Sequence, residues 1–291
     1  MNIPRITVVT PSFNQAEFLE QTIQSVLGQC YENLEYLILD GGSTDGSFEI
    51  IKKYDDRLKF WVSEKDGGQA EAINRGFSLA TGDILCWINS DDFFLPGTLA
   101  AVADEFLSGH DLIYGGCISF SDKGKRCLIN RPPEYDMELL HLVDYIVQPS
   151  SFWTRDLWLK TGPLNESLHF TFDWEWFLRA SKNCNFKKTD KILSAYRFHP
   201  QHKTSTGGVR RDKEILNVIE KNGGPEAIRH YHYVSKNHAV LQRYLNMCGR
   251  IRGRGFEKYE RLARWFFPKL WILPEGCEFR KIMQCRGMLS C

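Results

Sequence analysis

Two hydrophobic rhythms alternate through the first third of the chain. Short runs rich in Ile, Val and Leu fall at 6–9, 34–39, 58–62 and 84–88. Between them, at 16–27, 47–54 and 69–79, apolar residues recur three and four apart; in the first of these stretches Phe18, Leu19, Ile23, Val26 and Leu27 share one helical face. Strands joined by helices predict βαβ units, so the expected fold class is α/β, with a Rossmann-like, mainly parallel central sheet flanked by helices. The second half is more mixed. Strand character appears at 112–120, 150–153 and 192–198, and an aromatic-rich helix is predicted over 172–180. Beyond that the pattern turns helical, most clearly at 212–220 and 228–247. Gly207-Gly208 marks the break, giving an α/β domain over 1–205 and a C-terminal helical appendage over 206–291.

Charge sharpens this division. The formal net charge of the chain is +1, which gives no global reason to expect a nucleic-acid partner. Over 245–291, however, ten Arg and Lys residues face four Glu. There, 255–267 interleaves Phe256, Tyr259, Trp265 and Phe266 with basic residues, which predicts peripheral contact with an anionic membrane surface. The nine cysteines are odd in number and form no Cys-x-x-Cys pair, which points away from a disulfide framework or structural zinc and towards a reducing cytoplasm. Residues 1–5 lead into a strand without the apolar stretch of a signal peptide. The most apolar run of the tail, 265–273, is short and broken by Pro268 and Lys269.

In a sheet of this kind ligands bind beyond the carboxyl ends of the strands. Three such ends here are polar: Thr10-Pro11-Ser12-Phe13-Asn14, Asp40-Gly41-Gly42-Ser43 and Asn89-Ser90-Asp91-Asp92. Each alone reads equally well as a turn or helix cap; together they line one edge of the sheet. The adjacent carboxylates of Asp91 and Asp92 suit a hard divalent ion, Mn2+ or Mg2+, shared with phosphate oxygens. Gly67-Gly68-Gln69 opens a helix whose N-terminus favours anionic groups, though a plain turn fits the same residues.

Six blocks, TPSFNQ (10–15), LDGGSTDGS (39–47), DGGQAEAINRGFSLATGDILCWINSDD (66–92), QPSSFW (148–153), FDWEWFLR (172–179) and YRFH (196–199), are arranged in this order. In that order the chain resembles the family 2 glycosyltransferases of the nucleotide-binding GT-A fold, and bacterial surface-polysaccharide enzymes in particular. The resemblance implies an inverting, metal-dependent transfer of a sugar from a nucleotide diphosphate sugar, UDP first among them, to a glycan or lipid-linked acceptor. It assigns Thr10, Pro11, Ser12 and Phe13 to the nucleoside cradle and Asp40 to the base. Gly68, Gln69, Asn74, Asn89, Ser90 and Gln148 border the donor, and Lys203 adds positive charge on the diphosphate. Asp91 and His199 hold the metal, and Asp173 is the base that deprotonates the acceptor. Two positions depart from the family pattern. Asn89 replaces the first Asp of the Asp-x-Asp motif, and Phe172 replaces the Glu that usually precedes the catalytic Asp. Both departures open an alternative, a nucleotide-sugar-binding scaffold that has lost catalysis. A nucleotidyltransferase would show a Gly-rich loop with Arg and Lys after the first strand, and 10–15 carries no charge.

Overall fold

The computed structural model describes residues 3–121, 127–184 and 186–237. The chain divides into two compact units, one made of 1–135 with 146–214 and the other of 136–145 with 215–291. The expected membrane-facing segment of the tail lies outside the described residues, and among the described residues no helix is long and apolar enough to cross a membrane.

The first unit opens with three βαβ steps: β1 (Ile6–Ser12), α1 (Ala16–Leu27), β2 (Leu34–Asp40), α2 (Ser47–Lys52), β3 (Phe60–Ser63), α3 (Gln69–Leu79) and β4 (Ile84–Trp87). There follow β5 (Phe93–Phe94), α4 (Thr98–Phe106), β6 (Leu112–Ser121) and β7 (Cys127–Asn130). In the second unit α5 (Met137–Leu140) starts at Asp136, whose carboxylate accepts the Leu139 N–H. The first unit resumes with β8 (Ser151–Thr154), α6 (Arg155–Thr161), α7 (Phe172–Ala180), β9 (Phe186–Phe198) and α8 (Lys203–Thr206). Last comes α9 (Gly208–Lys236), broken at Gly224 (φ 67°, ψ −167°) where Pro225 begins its second piece. The division between units therefore falls after Glu214, inside α9.

One nine-stranded sheet runs β3-β2-β1-β4-β8-β6-β9-β5, with β7 paired to β6. The first four strands are parallel, as their helical crossovers require. The second half brings antiparallel pairs, β4 with β8, β6 with β7 and β8, and β5 with β9, so the sheet is mixed. α1 buries Phe18, Leu19, Ile23 and Val26, the apolar stripe read from the sequence. On the other face α3 lies so close to the sheet that a Cβ on Gly76 would stand 2.6 Å from a Val9 methyl and 3.0 Å from a Leu39 methyl. Gly76→Ala is therefore expected to destabilise the protein by about 1–3 kcal/mol through overpacking, measured as a lower denaturant midpoint at unchanged slope. An unchanged midpoint would remove this contact as the reason for the glycine.

An aromatic cluster carries α7 to the sheet. Trp153 on β8 packs on Trp87 of β4 (centroids 5.3 Å apart) and on Trp176 of α7 (4.7 Å), while Phe77 of α3 meets Trp158 at 4.7 Å. Trp87, Trp153 and Trp176 are fully buried, so the first turn of α7 is fixed relative to the end of β4 by some of the largest apolar groups in the chain.

Candidate active site

The strand register sets the rim of the site. Ser12 pairs with Asp40, and Asp40 with Ser63, so β1, β2 and β3 end level. The Thr10 hydroxyl lies in the core 3.0 Å from the Tyr36 hydroxyl. Pro11 and Ser12 are buried at the end of the strand, and Phe13 beyond them is 61% exposed. Ser12 Oγ is buried with no hydrogen-bond partner among the described residues, a polar atom at the rim that a ligand could satisfy. Asp40 is 1% exposed. Its carboxylate accepts the Ser43 N–H (2.9 Å), the Ser43 hydroxyl (2.6 Å) and the Ser63 hydroxyl (2.6 Å). It thus closes the β2 turn onto β3.

Past β4, the Asn89–Asp92 turn is fastened from two sides. The Thr22 hydroxyl of α1 donates to the Ser90 and Asp92 carbonyls at 2.9 and 2.6 Å. From β9, the Arg197 Nε donates to the Asp91 carbonyl and its backbone N–H to Asp92 Oδ1, both at 3.0 Å. The guanidinium is buried between the rings of Phe18 (4.6 Å) and Phe120 (4.8 Å). Arg197 carries no assignment in the sequence reading, yet one signal was present. Leu193, Ala195 and Arg197 stand two apart and so share one face of β9, which sets the arginine in line with apolar residues, where it needs a defined set of acceptors.

With its backbone held this way, Asp91 places Oδ2 3.0 Å from His199 Nε2, and the imidazole leans on Phe18. Among the described residues no group of three or more His, Cys, Asp and Glu surrounds one point. Asp91 and His199 are a two-donor set, which fits a divalent ion whose remaining ligands are phosphate oxygens and water rather than a closed structural site. Asp92 plays another part. It is 1% exposed, and burial together with the neighbouring Asp91 pushes its carboxyl well above the ordinary range.

A polar chain crosses the mouth of the site. Lys203 Nζ donates to Gln69 Oε1 (2.7 Å), and Gln69 Nε2 donates to Asn89 Oδ1 (2.7 Å). The backbone before Gln69 turns at Gly68 (φ 124°), a conformation that favours glycine. Lys203 also sits 5.0 Å over the Phe172 ring, so the residue standing in for the family's Glu holds a cation by its π-face. Burial draws the Lys203 pKa down to about 8, against the opposing pull of the nearby Asp173 charge. Asp173 lies in the first turn of α7 and its Oδ1 accepts the Trp174 N–H at 2.8 Å. Burial raises its pKa, with that hydrogen bond and Lys203 acting the other way. Glu214 accepts the N–H groups of His169 and Phe170 (3.0 and 2.7 Å) and so fixes the approach to α7. Gln148, 7% exposed, donates to the Trp87 carbonyl at 2.8 Å, and its own Oε1 has no partner among the described residues.

The structure thus brings five of these residues into direct contact, as one pair, Asp91 with His199, and one chain, Lys203 to Gln69 to Asn89. It takes Asn74 elsewhere. The Asn74 amide is engaged by the Leu164 N–H and carbonyl and by Glu166, tying α3 to the segment before α7.

The family model described as glycosyl transferase family 2 matches residues 7–158. An uncharacterized glycosyltransferase of Mycobacterium tuberculosis is 37% identical over 263 residues, covering 88% of this chain and 93% of its own length. The chain belongs to glycosyltransferase family 2. A Haemophilus influenzae relative, also an uncharacterized glycosyltransferase, is 36% identical over 125 residues, and the match spans 42% of this chain and 50% of that relative. Among solved structures, the glycosyltransferase shares its GT-A fold with Staphylococcus aureus TarS 1–349 in complex with UDP-GlcNAc. The TM-score is 0.63 at 16% identity, over 84% of this chain and 79% of that one. It is also similar to the mannosyltransferase PcManGT from Pyrobaculum calidifontis in complex with GDP-Man and Mn2+, with a TM-score of 0.62 at 15% identity, over 99% of this chain and 85% of that one.

Proposed function

We propose that this glycosyltransferase takes its sugar from a nucleotide diphosphate donor, with a divalent ion on the diphosphate, and passes it with inversion to a hydroxyl of a glycan or lipid-linked acceptor. The observation that carries the reading is the convergence of a two-donor Asp91–His199 pair, the Lys203–Gln69–Asn89 chain and the half-buried Asp173 around the carboxyl end of one parallel strand. UDP is the first candidate for the nucleotide. The relatives solved with UDP-GlcNAc and with GDP-Man and Mn2+ support a nucleotide diphosphate sugar.

Asp173 takes the proton from the acceptor hydroxyl as its oxygen attacks the anomeric carbon, on the face opposite the departing diphosphate. Lys203, cationic below about pH 8, meets the negative charge that grows on the leaving diphosphate. Asp91 and His199 would hold the ion, which when bound neutralises the same charge as a Lewis acid. Gln148, whose Oε1 has no partner among the described residues, offers an acceptor to a sugar hydroxyl.

The test is a thermal-shift screen of UDP-, GDP- and dTDP-sugars with and without Mn2+. At a ligand concentration a hundred times Kd the native state gains about 2.7 kcal/mol, so a bound donor raises Tm by several degrees and does so more strongly with Mn2+. No shift with any donor, with or without the ion, would overturn the donor-site reading.

A further inference from the structure

Helix α7, which carries Asp173, begins without a cap of its own. Thr171 occupies the N-cap position, yet its side chain makes no capping hydrogen bond, and its backbone (φ −121°, ψ 19°) lacks the extended form usual there. Within the first turn the Trp174 N–H donates to Asp173 Oδ1 and the Glu175 N–H to the Thr171 carbonyl, at 2.8 and 2.9 Å. The direction in which the Asp173 carboxylate faces therefore follows from how residues 169–171 enter the helix.

Those residues are held from α9. Glu214, its side chain 12% exposed, accepts the His169 N–H on both oxygens at 3.0 Å and the Phe170 N–H on Oε2 at 2.7 Å, and the Thr171 hydroxyl stands 3.5 Å from that same oxygen. Among the described residues, these are the hydrogen bonds that tie 169–171 to anything beyond α7. Bonds from N–H groups to a carboxylate are among the stronger ones. The Phe170 ring is confined too, because its Cε1 lies 3.0 Å from where a Cβ on Gly207 would stand, at the turn from α8 into α9. One carboxylate and one bare backbone position thus fix the segment that leads to the base.

We propose that Glu214 is a positioning residue for the transfer: by clamping the backbone at 169 and 170 it aims Asp173 at the acceptor hydroxyl without itself meeting a reactant. This role rests on Asp173 being the base. A general base must stand within hydrogen-bond reach of the proton it takes, and a misplacement of about 1 Å costs about a hundredfold in rate. Action through charge would leave a different trace. Burial lowers the Lys203 pKa and the Asp173 and Glu214 carboxylates oppose that, so loss of Glu214 would move the alkaline limb of the pH profile to lower pH.

The test is a mutant cycle on kcat at neutral pH, read as nucleotide released from the donor sugar that the thermal-shift screen picks out, with water in the acceptor's place. Glu214→Ala is expected to lower kcat about tenfold to a hundredfold while affinity for that nucleotide with Mn2+, measured by calorimetry, stays within about threefold. In the Asp173→Asn background the same substitution should cost less than about twofold, because no base is left to aim. Glu214→Gln keeps an oxygen for the Phe170 N–H and loses one of the two that receive the His169 N–H. It should fall between wild type and Glu214→Ala, and its loss too should vanish beside Asp173→Asn, so the cycle can be closed even if the alanine variant does not fold. Losses of equal factor in both backgrounds overturn the inference and leave Asp173 standing as the base. Wild-type turnover in Glu214→Ala, or a loss explained by a shifted alkaline limb, overturns it as well. Near-normal turnover in Asp173→Asn removes the base reading, and this inference with it.

Discussion

Asp173→Asn is expected to lower kcat by about 10²–10⁴-fold while donor affinity stays within about threefold of the wild type. The substitution keeps an oxygen that can accept the Trp174 N–H, the hydrogen bond that anchors the carboxylate to the first turn of α7. It removes only the capacity to take a proton. A helix-start role would behave in the opposite way: the amide would preserve it and activity would stay near normal. The pH profile supplies a second readout. Burial raises the Asp173 pKa, so the base is ionised, and activity rises, only above the range in which an exposed aspartate titrates. On the alkaline side Lys203, drawn down to about 8, loses its charge as pH rises and with it the stabilisation of the diphosphate. A bell with its alkaline limb near pH 8 is expected for kcat/KM, and Lys203→Met should flatten that limb. A Lys203→Met profile with the alkaline limb intact would assign the fall to another group.

The parts of this arrangement that could be read from the chain are those written locally. The three βαβ steps follow from periodicity, since each strand is a short apolar run and each helix an amphipathic stripe. The antiparallel additions are less legible because their strands are short: β5 has two residues, and β7 is exposed at all four positions, so neither shows alternation. In the site, polar strand ends were visible one by one, but their partners are distant. His199 meets Asp91 across 108 positions and Lys203 meets Gln69 across 134, separations on which composition is silent. Local reading also cannot tell which way a side chain at a strand end points. Thr10 follows an apolar run and looks like a strand end, yet β1 continues to Ser12 and the Thr10 hydroxyl faces Tyr36 in the core.

Asp91→Ala is expected to abolish stimulation by Mn2+ and to reduce the metal-saturated rate by about 10²–10⁴-fold, since a Lewis acid on the departing diphosphate contributes several kcal/mol. His199→Ala should weaken Mn2+ in the presence of UDP by about tenfold to a hundredfold, the scale on which metal sites respond to loss of a supporting group. The neighbouring carboxylate gives the control. Asp92 accepts the Arg197 N–H from a fully buried position, and its own burial and the Asp91 charge favour its neutral form. Burial thus disfavours the charge on Asp92, whereas it is the less buried Asp91 whose side chain reaches His199. Asp92→Asn retains an oxygen for Arg197 and should leave Mn2+ affinity within a few-fold. Calorimetry of Mn2+ binding to the UDP complex distinguishes the two residues: equal losses from Asp91→Ala and Asp92→Asn would mean that the turn binds through its backbone shape, and undiminished affinity in Asp91→Ala would remove this pair as the metal site.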